Sequence, residues 1–428
     1  MKTFLPRFAW ILLLIMLLTS LSACSGRDDN TVTFSVFGDP AELAAYEGLV
    51  AAFATQHPDI TLELRHVPGQ NDYRQRLAAE FTSGNPPDIF LLNYRRLAPF
   101  ADDGGLEPLT NYLANSQVIQ ESDFYPTTIA PFKWANELWC IPQNVSSLVV
   151  YYNQDMFAAA GVPLPTNEWT RDDFLAAALA LTKDVDGDGR IDEYGVGLEA
   201  SLFRLAPFAW QNGGDIVDDQ TNPTRLTLDT PPTRAAFQWL VDLQTVHHVA
   251  PDRTAESAEE SESRFLNGRL AMFFNSRRGV PTYRTITSFT WDIAPLPSAT
   301  TPAGILHSDG YCMAAATANK EAAWTFIEFA NSVEGQTLIA ASGRTVPSLI
   351  SVAESPAFLD GLPPASSHLF LETIPLLRAV PTMSTWIGIE ETAGREVERA
   401  FYGEATIDEA IAAAIQLTQP YFDDANEP

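Results

Sequence analysis

The sequence predicts an α/β fold with more than one domain, and three observations lead to this prediction. The chain has 428 residues and 46% hydrophobic content, so it can bury a large core and is too long for one ordinary domain. Its first part alternates short apolar strands with amphipathic helices, and a second α/β pattern follows. Such alternation is typical of a parallel sheet covered on both faces.

The first alternation starts at Thr31 and is the clearest in the chain. Its predicted strands cover residues 31–37, 60–67 and 88–92. The helices between them begin at Asp39-Pro40, where an Asp cap and a first-turn proline are typical, and at Tyr73. In parallel sheets, ligands bind beyond the carboxyl ends of the strands, which here are Asp39 and residues 93–96.

The later elements are predicted in the same way. Strand-like runs cover residues 148–152, 291–294 and 312–314. Helical patterns cover residues 174–182 and 321–330, and another helix opens at Thr230-Pro231. Residues 256–262 are acidic and are expected to form a solvated segment. No internal repeat, low-complexity tract or second hydrophobic span is found in the sequence.

The N-terminus has the pattern of a secretory signal. Lys2 and Arg7 precede the apolar residues 8–18, and small residues lead to Cys24. The quartet before and including that cysteine, LSAC, looks like the lipobox of bacterial lipoproteins. We therefore expect residues 1–23 to be a signal peptide, Cys24 to be lipidated, residues 24–30 to be a tether, and the protein to be extracytoplasmic and anchored to the cell membrane. The alternative is an ordinary cleaved signal with an incidental cysteine.

Charge and cysteine content limit the partners. The net charge is −28, and it becomes −30 when residues 1–23 are removed, so the surface repels nucleic acid phosphates. Cys140 and Cys312 remain after Cys24 is used, and outside the cytoplasm two thiols can pair. Two buried free cysteines are the commoner case, so the sequence favours free thiols without excluding a disulfide.

The segment KDVDGDGRIDEYG, residues 183–195, is a candidate calcium loop. Its Asp-x-Asp-x-Asp-Gly spacing matches the first half of an EF-hand loop, but the twelfth position is Gly195 instead of a bidentate glutamate. The alternative is a solvated acidic turn without metal. If calcium binds, it is expected to hold the loop without touching solute. The candidate ligands are Asp184, Asp186, Asp188, the Arg190 carbonyl, Asp192 and Glu193.

Several segments, in order behind the lipobox, resemble the extracellular solute-binding proteins of ABC importers. They resemble the carbohydrate-binding class to which maltose-binding protein belongs. The segments are NPPDIFLLN, LAPFADDGGLEPLT, LWCIPQNVSSLVVYYNQDMFAAAGV, WQNGGDIV, FLNGRLAMFFNS, WDIAPLP, NKEAAWTFIEFANSVEGQ and TIDEAIAAAI. Each alone is a weak signal, but their order and their spread over nearly the whole mature chain make the resemblance strong.

The resemblance implies two α/β lobes of the type II periplasmic-binding-protein fold, joined by hinge crossings. The first lobe is expected to contain residues 31–143 and about 295–345, and the second residues 148–290 and about 348–428. Solute would bind in the cleft between the lobes, and closure about the hinge would bury it. The implied partners are a sugar and the permease subunits of the transporter, and the protein is expected to be a monomer.

Candidate solute contacts follow from strand ends, from the first crossing and from the resemblance. Sugar hydroxyls need planar polar partners, and sugar rings pack on aromatic side chains. Several of them have a structural alternative, since Asp39 could serve only to cap its helix and a buried tryptophan is more often part of the core. The candidates are Asp39, Asn93, Tyr94, Arg95, Asn144, Ser146, Phe203, Arg204, Trp210, Asn275, Arg277, Asp309 and Trp386.

Two alternatives to a neutral mono- or oligosaccharide remain open. The same fold could bind a phosphorylated polyol such as glycerol phosphate through Arg95, Arg96, Arg204, Arg277 and Arg278. A secreted glycoside hydrolase is the remote alternative, because Glu390 and Glu391 are adjacent on a helix and point about 100° apart. We therefore predict that the protein is not an enzyme and requires no cofactor.

Overall fold

The computed structural model describes residues 30–426, which contain two larger β-sheets and three two-stranded ones. The signal peptide, Cys24 and most of the tether predicted above lie outside these residues. The first sheet has five strands in the order Thr61–Val67, Thr31–Phe37, Ile89–Asn93, Asp309–Met313 and Cys140–Pro142. The first three strands are parallel, as predicted, and Asp309–Met313 is antiparallel to both of its neighbours.

The second sheet has four strands and is mixed. Their order is Trp291–Ala294, Val149–Asn153, Leu270–Asn275 and Tyr194–Gly197. The two middle strands are antiparallel, whereas Leu270–Asn275 and Tyr194–Gly197 are parallel. We call each sheet with the helices packed on it a lobe, so the chain has a first and a second lobe.

Short pairs of strands lie between and beside the sheets. Asn144–Val145 pairs with Val346–Pro347, and Gly304–Ile305 pairs with Leu377–Arg378. Ser146 and His307 form an isolated bridge, so the two stretches around them run side by side. A further pair, Lys133–Trp134 with Glu137–Leu138, forms a tight hairpin.

Helices cover both sheets. The α-helices are Pro40–Gln56, Gln70–Thr82, Leu97–Asp102, Thr110–Asn115, Pro126–Ile129, Gln154–Ala160, Arg171–Leu181, Leu202–Gln211, Pro231–Thr245, Arg253–Ala258, Ser261–Leu266, Val280–Tyr283, Lys320–Ala330, Val333–Ala340, Ile350–Ala353, Leu369–Glu372, Trp386–Phe401 and Ile407–Asn426. Short 3₁₀ turns are Tyr94–Arg96, Glu121–Asp123, Ala130–Phe132, Arg277–Gly279 and Ile374–Leu376. None of the helices within residues 30–426 is both long and apolar enough to span a bilayer.

The start of the first helix shows how local sequence sets these elements. Asp39 accepts hydrogen bonds from the backbone N–H groups of Ala41 and Glu42, and the Glu42 side chain accepts from Asp39 N, which completes a capping box. Gly38 has φ +141°, and a Cβ there would lie 1.9 Å from Glu42 Oε2. Glycine is therefore needed at the end of the preceding strand.

Aromatic clusters fill the core of each lobe. Phe34 of the first sheet packs against Tyr46, Tyr311 and Phe326 with ring centroids 4.8–5.8 Å apart. In the second lobe the Tyr151 ring lies 4.7 Å from the Tyr283 ring. Such pairs stabilise beyond the area that they bury.

Cys140 and Cys312 form a disulfide, which corrects the preference for free thiols. The two residues are directly opposite in register on neighbouring antiparallel strands, with Cα atoms 4.3 Å apart. The sequence could not give this proximity, because 172 residues separate the two positions.

The prediction of a solvated acidic segment at residues 256–262 is only partly correct. Ser257, Ala258 and Glu260 are exposed, but the segment contributes to two short helices, and three of its four glutamates have protein partners. Glu256 accepts from Ser261, Glu259 pairs with Arg264 and Arg269, and Glu262 accepts from the Tyr283 hydroxyl.

Candidate functional site

A cleft of about 940 Å³ lies where the two lobes meet. It opens at the carboxyl end of the strand Ile89–Asn93, where ligands of parallel sheets bind. The crossing segment around Asn144 forms part of its wall, and the helices Leu202–Gln211 and Trp386–Phe401 of the second lobe contribute the opposite side. The volume is within the range of small-molecule sites.

Seven of the predicted solute contacts line this cleft. They come from four separate segments of the chain, so the fold brings together positions that are up to 216 residues apart in sequence. These residues are Asn93, Arg95, Asn144, Ser146, Phe203, Arg204 and Asp309.

Four of them form a continuous polar chain on the first-lobe side. Arg95 donates through Nε to Asn93 Oδ1 at 3.0 Å, and Asn93 Nδ2 donates to Asp309 Oδ1 at 3.1 Å. Asp309 N in turn donates to Asn144 Oδ1 at 3.2 Å. The row combines amide, carboxylate and guanidinium groups, which are the groups that hydrogen-bond to hydroxyls.

Arg95 also connects the two lobes across the cleft. Its guanidinium forms an ion pair with Glu390 and lies 4.1 Å from the centroid of the Phe203 ring. The other neighbour of that ring is His307, stacked at 5.0 Å with an interplanar angle of 29°. Phe203 therefore lies against a cation and an imidazole, and Arg95 must move before another group can stack in its place.

Burial shifts the pKa values of several ionisable groups in the wall, among them Glu42 and His307. Burial raises the pKa of Glu42 to about 7, although its ion pair with Arg344 opposes the rise. Burial, together with the positive charges of Arg204 and Arg95, holds the pKa of His307 well below its ordinary value. His307 is therefore neutral near pH 7 and can accept or donate one hydrogen bond through each ring nitrogen.

Three other predicted contacts lie beside the cleft without lining it. Asp39 caps its helix and pairs with Arg344 at 2.8 Å. Tyr94 is fully buried, and its hydroxyl bonds to Leu306 O and Val380 N. Trp386 is also fully buried and donates from Nε1 to Glu390 Oε2 at 3.1 Å. Trp386 therefore supports the glutamate that meets Arg95, and does not face the cleft.

The remaining three predicted contacts belong to other parts of the second lobe. Trp210 donates to Asp215 and lies 4.7 Å below the Arg378 guanidinium, next to a separate surface depression. Asn275 is buried and bonds to Tyr283 and Glu262. Arg277 is 1% exposed and bonds to Gly343 O and Ser367 Oγ. Burial removes all three from the candidate contacts.

Sequence reasoning missed several cleft residues. Glu390 was considered only as a catalytic residue. His307, Glu199 and Arg344 were missed because tertiary folding brings them to the cleft, and no local sequence pattern marks them. Arg74 was missed because it is a polar residue of a predicted helix, and such residues are usually exposed. Its position near the start of a helix that follows a strand could have placed it at the ligand-binding edge of the sheet. Arg96 and Arg278 also line the cleft and were predicted only as contacts for a phosphorylated solute. The cleft residues not predicted as contacts for any solute include Glu42, Arg74, Glu199, His307, Arg344, Glu390 and Glu391.

The acidic loop brings three carboxylates together on the surface. One oxygen from each of Asp184, Asp186 and Asp188 lies within 4.8 Å of the others, and all three residues are exposed. The carboxylates accept hydrogen bonds from backbone N–H groups of the loop, such as Gly187 N and Gly189 N to Asp184. Asp192 accepts from Val185 N. None of these residues lines the cleft.

Calcium binding by this loop stays a prediction. Calcium added to chelator-treated protein is expected to raise the melting temperature at millimolar concentration, because a divalent ion relieves repulsion between the carboxylates. Solute affinity should not change, since the loop is outside the cleft. Asp186→Asn is expected to weaken the effect, whereas Asp172→Asn on the nearby helix is the matched control. An unchanged melting temperature at millimolar calcium would contradict metal binding.

The two lobes, the crossings between them and the cleft at the crossings define a two-lobed binding protein of the type II fold. Residues 38–337 match the family of bacterial extracellular solute-binding proteins. The chain belongs to this family, as the sequence segments indicated.

Three known proteins show how far the similarity extends. A solved ABC substrate-binding protein of Listeria monocytogenes, in complex with cycloalternan, is 25% identical, with a TM-score of 0.83 over 91% of this chain and 98% of that one. A putative binding protein of Brucella abortus is 23% identical over 93% of this chain and 94% of its own length. The maltotriose-binding protein of Pyrococcus abyssi is 23% identical over 68% of this chain and 60% of its own.

Proposed function

We propose that the protein is the lipid-anchored receptor of an ABC importer, which captures a sugar in the cleft and delivers it to the permease. The observation that carries this proposal is the cleft itself, where amide, hydroxyl and guanidinium groups from both lobes face one another. The cycloalternan-bound relative and the maltotriose-binding relative support a sugar as the solute. The protein would act as a monomer, because a complete cleft is formed by one chain.

In this mechanism the solute takes the place of contacts that the lobes now make with each other. Asn93, Asn144 and Asp309 would hydrogen-bond to hydroxyls on the first-lobe side. Arg95 would leave Phe203 free to pack against a ring face, and the lobes would close around the solute. The protein would bind the solute without changing it. Both carboxylate oxygens of Glu390 already accept hydrogen bonds, from Arg95 and from Trp386, so this glutamate is not placed to act as a catalytic acid or base.

The binding proposal is tested by adding mono- and oligosaccharides to the purified protein while following its melting temperature. A solute at a hundred times its dissociation constant should add roughly 2.7 kcal/mol to the free energy of unfolding if it binds only the folded state. Small-angle scattering should show compaction with the same solute. Asn93→Ala should weaken binding, whereas Asn111→Ala on an exposed helix should not. Release of smaller sugars during the titration would instead identify a hydrolase.

The lipid anchor is tested separately by Cys24→Ala. This substitution removes the thiol that would be acylated, so we expect unprocessed precursor or release of the protein from the membrane fraction. Ser25→Ala next to it is the control and should leave the distribution unchanged. Equal membrane retention of the Cys24 variant and the wild type would reject the anchor.

A phosphorylated polyol is the second candidate solute, and the arginines of the cleft favour it. Of the five arginines suggested for phosphate, Arg95, Arg96, Arg204 and Arg278 line the cleft, whereas Arg277 is buried elsewhere. Glycerol phosphate is the test compound. If the solute is a phosphorylated polyol, glycerol phosphate should raise the melting temperature of the protein and neutral sugars should not.

A further inference from the structure

A side pocket of about 160 Å³ opens beside the main cleft on the first-lobe side. It lies between the helix Gln70–Thr82 and the turn that follows the strand Ile89–Asn93. The side chains of Arg74 and Arg96 line both the side pocket and the main cleft. Since one water takes about 30 Å³, the pocket has room for a single acidic group with a few waters.

Arg96 is incompletely satisfied in this position. Its Nε is buried and has no hydrogen-bond partner within residues 30–426. Its nearest ion-pair partner is Glu391, 3.6 Å from one terminal nitrogen and 61% exposed. That distance exceeds a good hydrogen bond, and a buried donor without a partner is unfavourable.

Arg74 is also without an acidic partner. Its guanidinium donates to Asn71 Oδ1 at 3.3 Å and forms no ion pair with any carboxylate of the described chain. Burial and the charges of Arg96 and Arg95 lower the pKa of Arg74 to about 10. Like charges are therefore crowded here, and Arg95 cannot accept an additional anion easily because it is already paired with Glu390.

The pocket is not purely basic, because Asp309 also lines it. One Asp309 oxygen accepts from Asn93, which lies between this carboxylate and Arg95. Asp309 favours the charged form of Arg74, so it helps to keep the guanidinium protonated. Most of the remaining wall is apolar and includes Leu77, Phe100 and Ile387. An apolar wall strengthens an ion pair formed inside it.

The main cleft points to the same class of solute. No tryptophan is among the residues that line it within the described chain, and the Phe203 ring is in contact with Arg95 and His307. Eight arginines and nine carboxylates line it, so the cleft as a whole is not basic. Arg95, Arg204, Arg253 and Arg344 are paired with carboxylates. Within residues 30–426, Arg74 has no such partner and Arg96 has only the 3.6 Å contact with Glu391, so their guanidinium groups can still bind an acid.

We propose that Arg74 and Arg96 form an anion subsite that takes the carboxylate or phosphate group of an acidic sugar bound in the main cleft. The inference rests on the proposed function, since the sugar part occupies the cleft described above. It replaces the neutral sugar expected from the sequence. The acid group would supply the acceptor that Arg96 Nε lacks and would relieve the repulsion between the two arginines.

The test compares charged and uncharged partners of the same sugar on the purified protein. The pairs are galacturonate with galactose, glucose 6-phosphate with glucose, and trigalacturonate with α-1,4-galactotriose, each followed by calorimetric titration. We expect one acidic member to bind roughly ten-fold or more tightly than its neutral partner. The first and third pairs identify a carboxylate, and the second identifies a phosphate.

The variants Arg74→Met and Arg96→Met remove the charges while keeping similar length. Each should lower affinity for the acidic sugar roughly ten-fold or more. Arg76→Met is the matched control, because Arg76 lies on the same helix, pairs with Glu80 and does not line either pocket. Melting temperatures without solute show whether each variant is folded. If Arg96→Met does not fold, Arg96→Lys replaces it in the titration, because lysine keeps the charge and removes the guanidinium Nε.

The outcomes separate the subsite from the proposed function. Tighter binding of a neutral sugar than of its acidic partner would overturn the subsite and leave the proposed function intact. Unchanged affinity for the acidic sugar in both folded methionine variants would also overturn it. Failure of every sugar to bind, acidic or neutral, would remove the proposed function and with it the subsite.

Discussion

Loss of the disulfide between Cys140 and Cys312 is expected to lower the free energy of unfolding by about 5 kcal/mol. The bond joins positions 172 residues apart, and a cross-link over so long a loop strongly restricts the unfolded chain. Denaturant unfolding of Cys140→Ala/Cys312→Ala beside the wild type measures the loss. Both sulfurs are buried, so the bond should resist mild reductant until the sheet opens.

The control for this experiment is the reductant itself. Dithiothreitol should lower the unfolding midpoint of the wild type and leave the midpoint of the double variant unchanged, because the variant has no bond between these strands. If wild type and variant unfold at the same denaturant concentration with equal slopes, the bond contributes nothing to stability and this expectation is wrong.

Replacement of Arg277 by alanine is expected to cost about 4 kcal/mol of stability. The guanidinium is buried between the Phe358 and Phe370 rings, at 4.5 and 5.2 Å from their centroids. It also donates to Gly343 O and Ser367 Oγ, so it joins segments distant in sequence. Alanine would leave a cavity and at least one buried carbonyl without its donor.

Two neighbouring variants sharpen this expectation. Arg277→Met fills most of the volume without hydrogen bonds, and it should lose less than the alanine variant. Arg278→Ala, at the exposed neighbouring position, should change the unfolding midpoint little. Equal losses for the substitutions at positions 277 and 278 would show that the buried contacts of Arg277 do not hold these segments together.

The contrast between these two arginines shows what sequence could predict of the site. Strand ends could be predicted from apolar runs, and Asn93 and Arg95, which were predicted there as solute contacts, do line the cleft. After the strand Leu270–Asn275, however, the chain makes a 3₁₀ turn that buries Arg277 and turns Arg278 toward the cleft. Adjacent arginines carry no pattern that tells one from the other.

Other parts of the site depend on contacts that no local pattern records. Trp386 was expected to meet solute because sugars pack on aromatic rings, but buried aromatics serve the core equally well. Glu390 faces Arg95 only because a C-terminal helix returns to the first lobe, 295 residues away in sequence. The fold was easier to predict, because strand and helix periodicity repeat over many residues.

The strand order of the first sheet has a consequence for the order in which the protein assembles. All four strands of the second sheet lie within residues 149–294, whereas the first sheet needs Asp309–Met313 between Ile89–Asn93 and Cys140–Pro142. A chain elongated only to residue 300 therefore contains every strand of the second sheet, while the first sheet still has two open strand edges. We expect the sheet whose synthesis starts first to be finished last, and those open edges to be where a nascent chain is most exposed to proteases and to pairing with other chains.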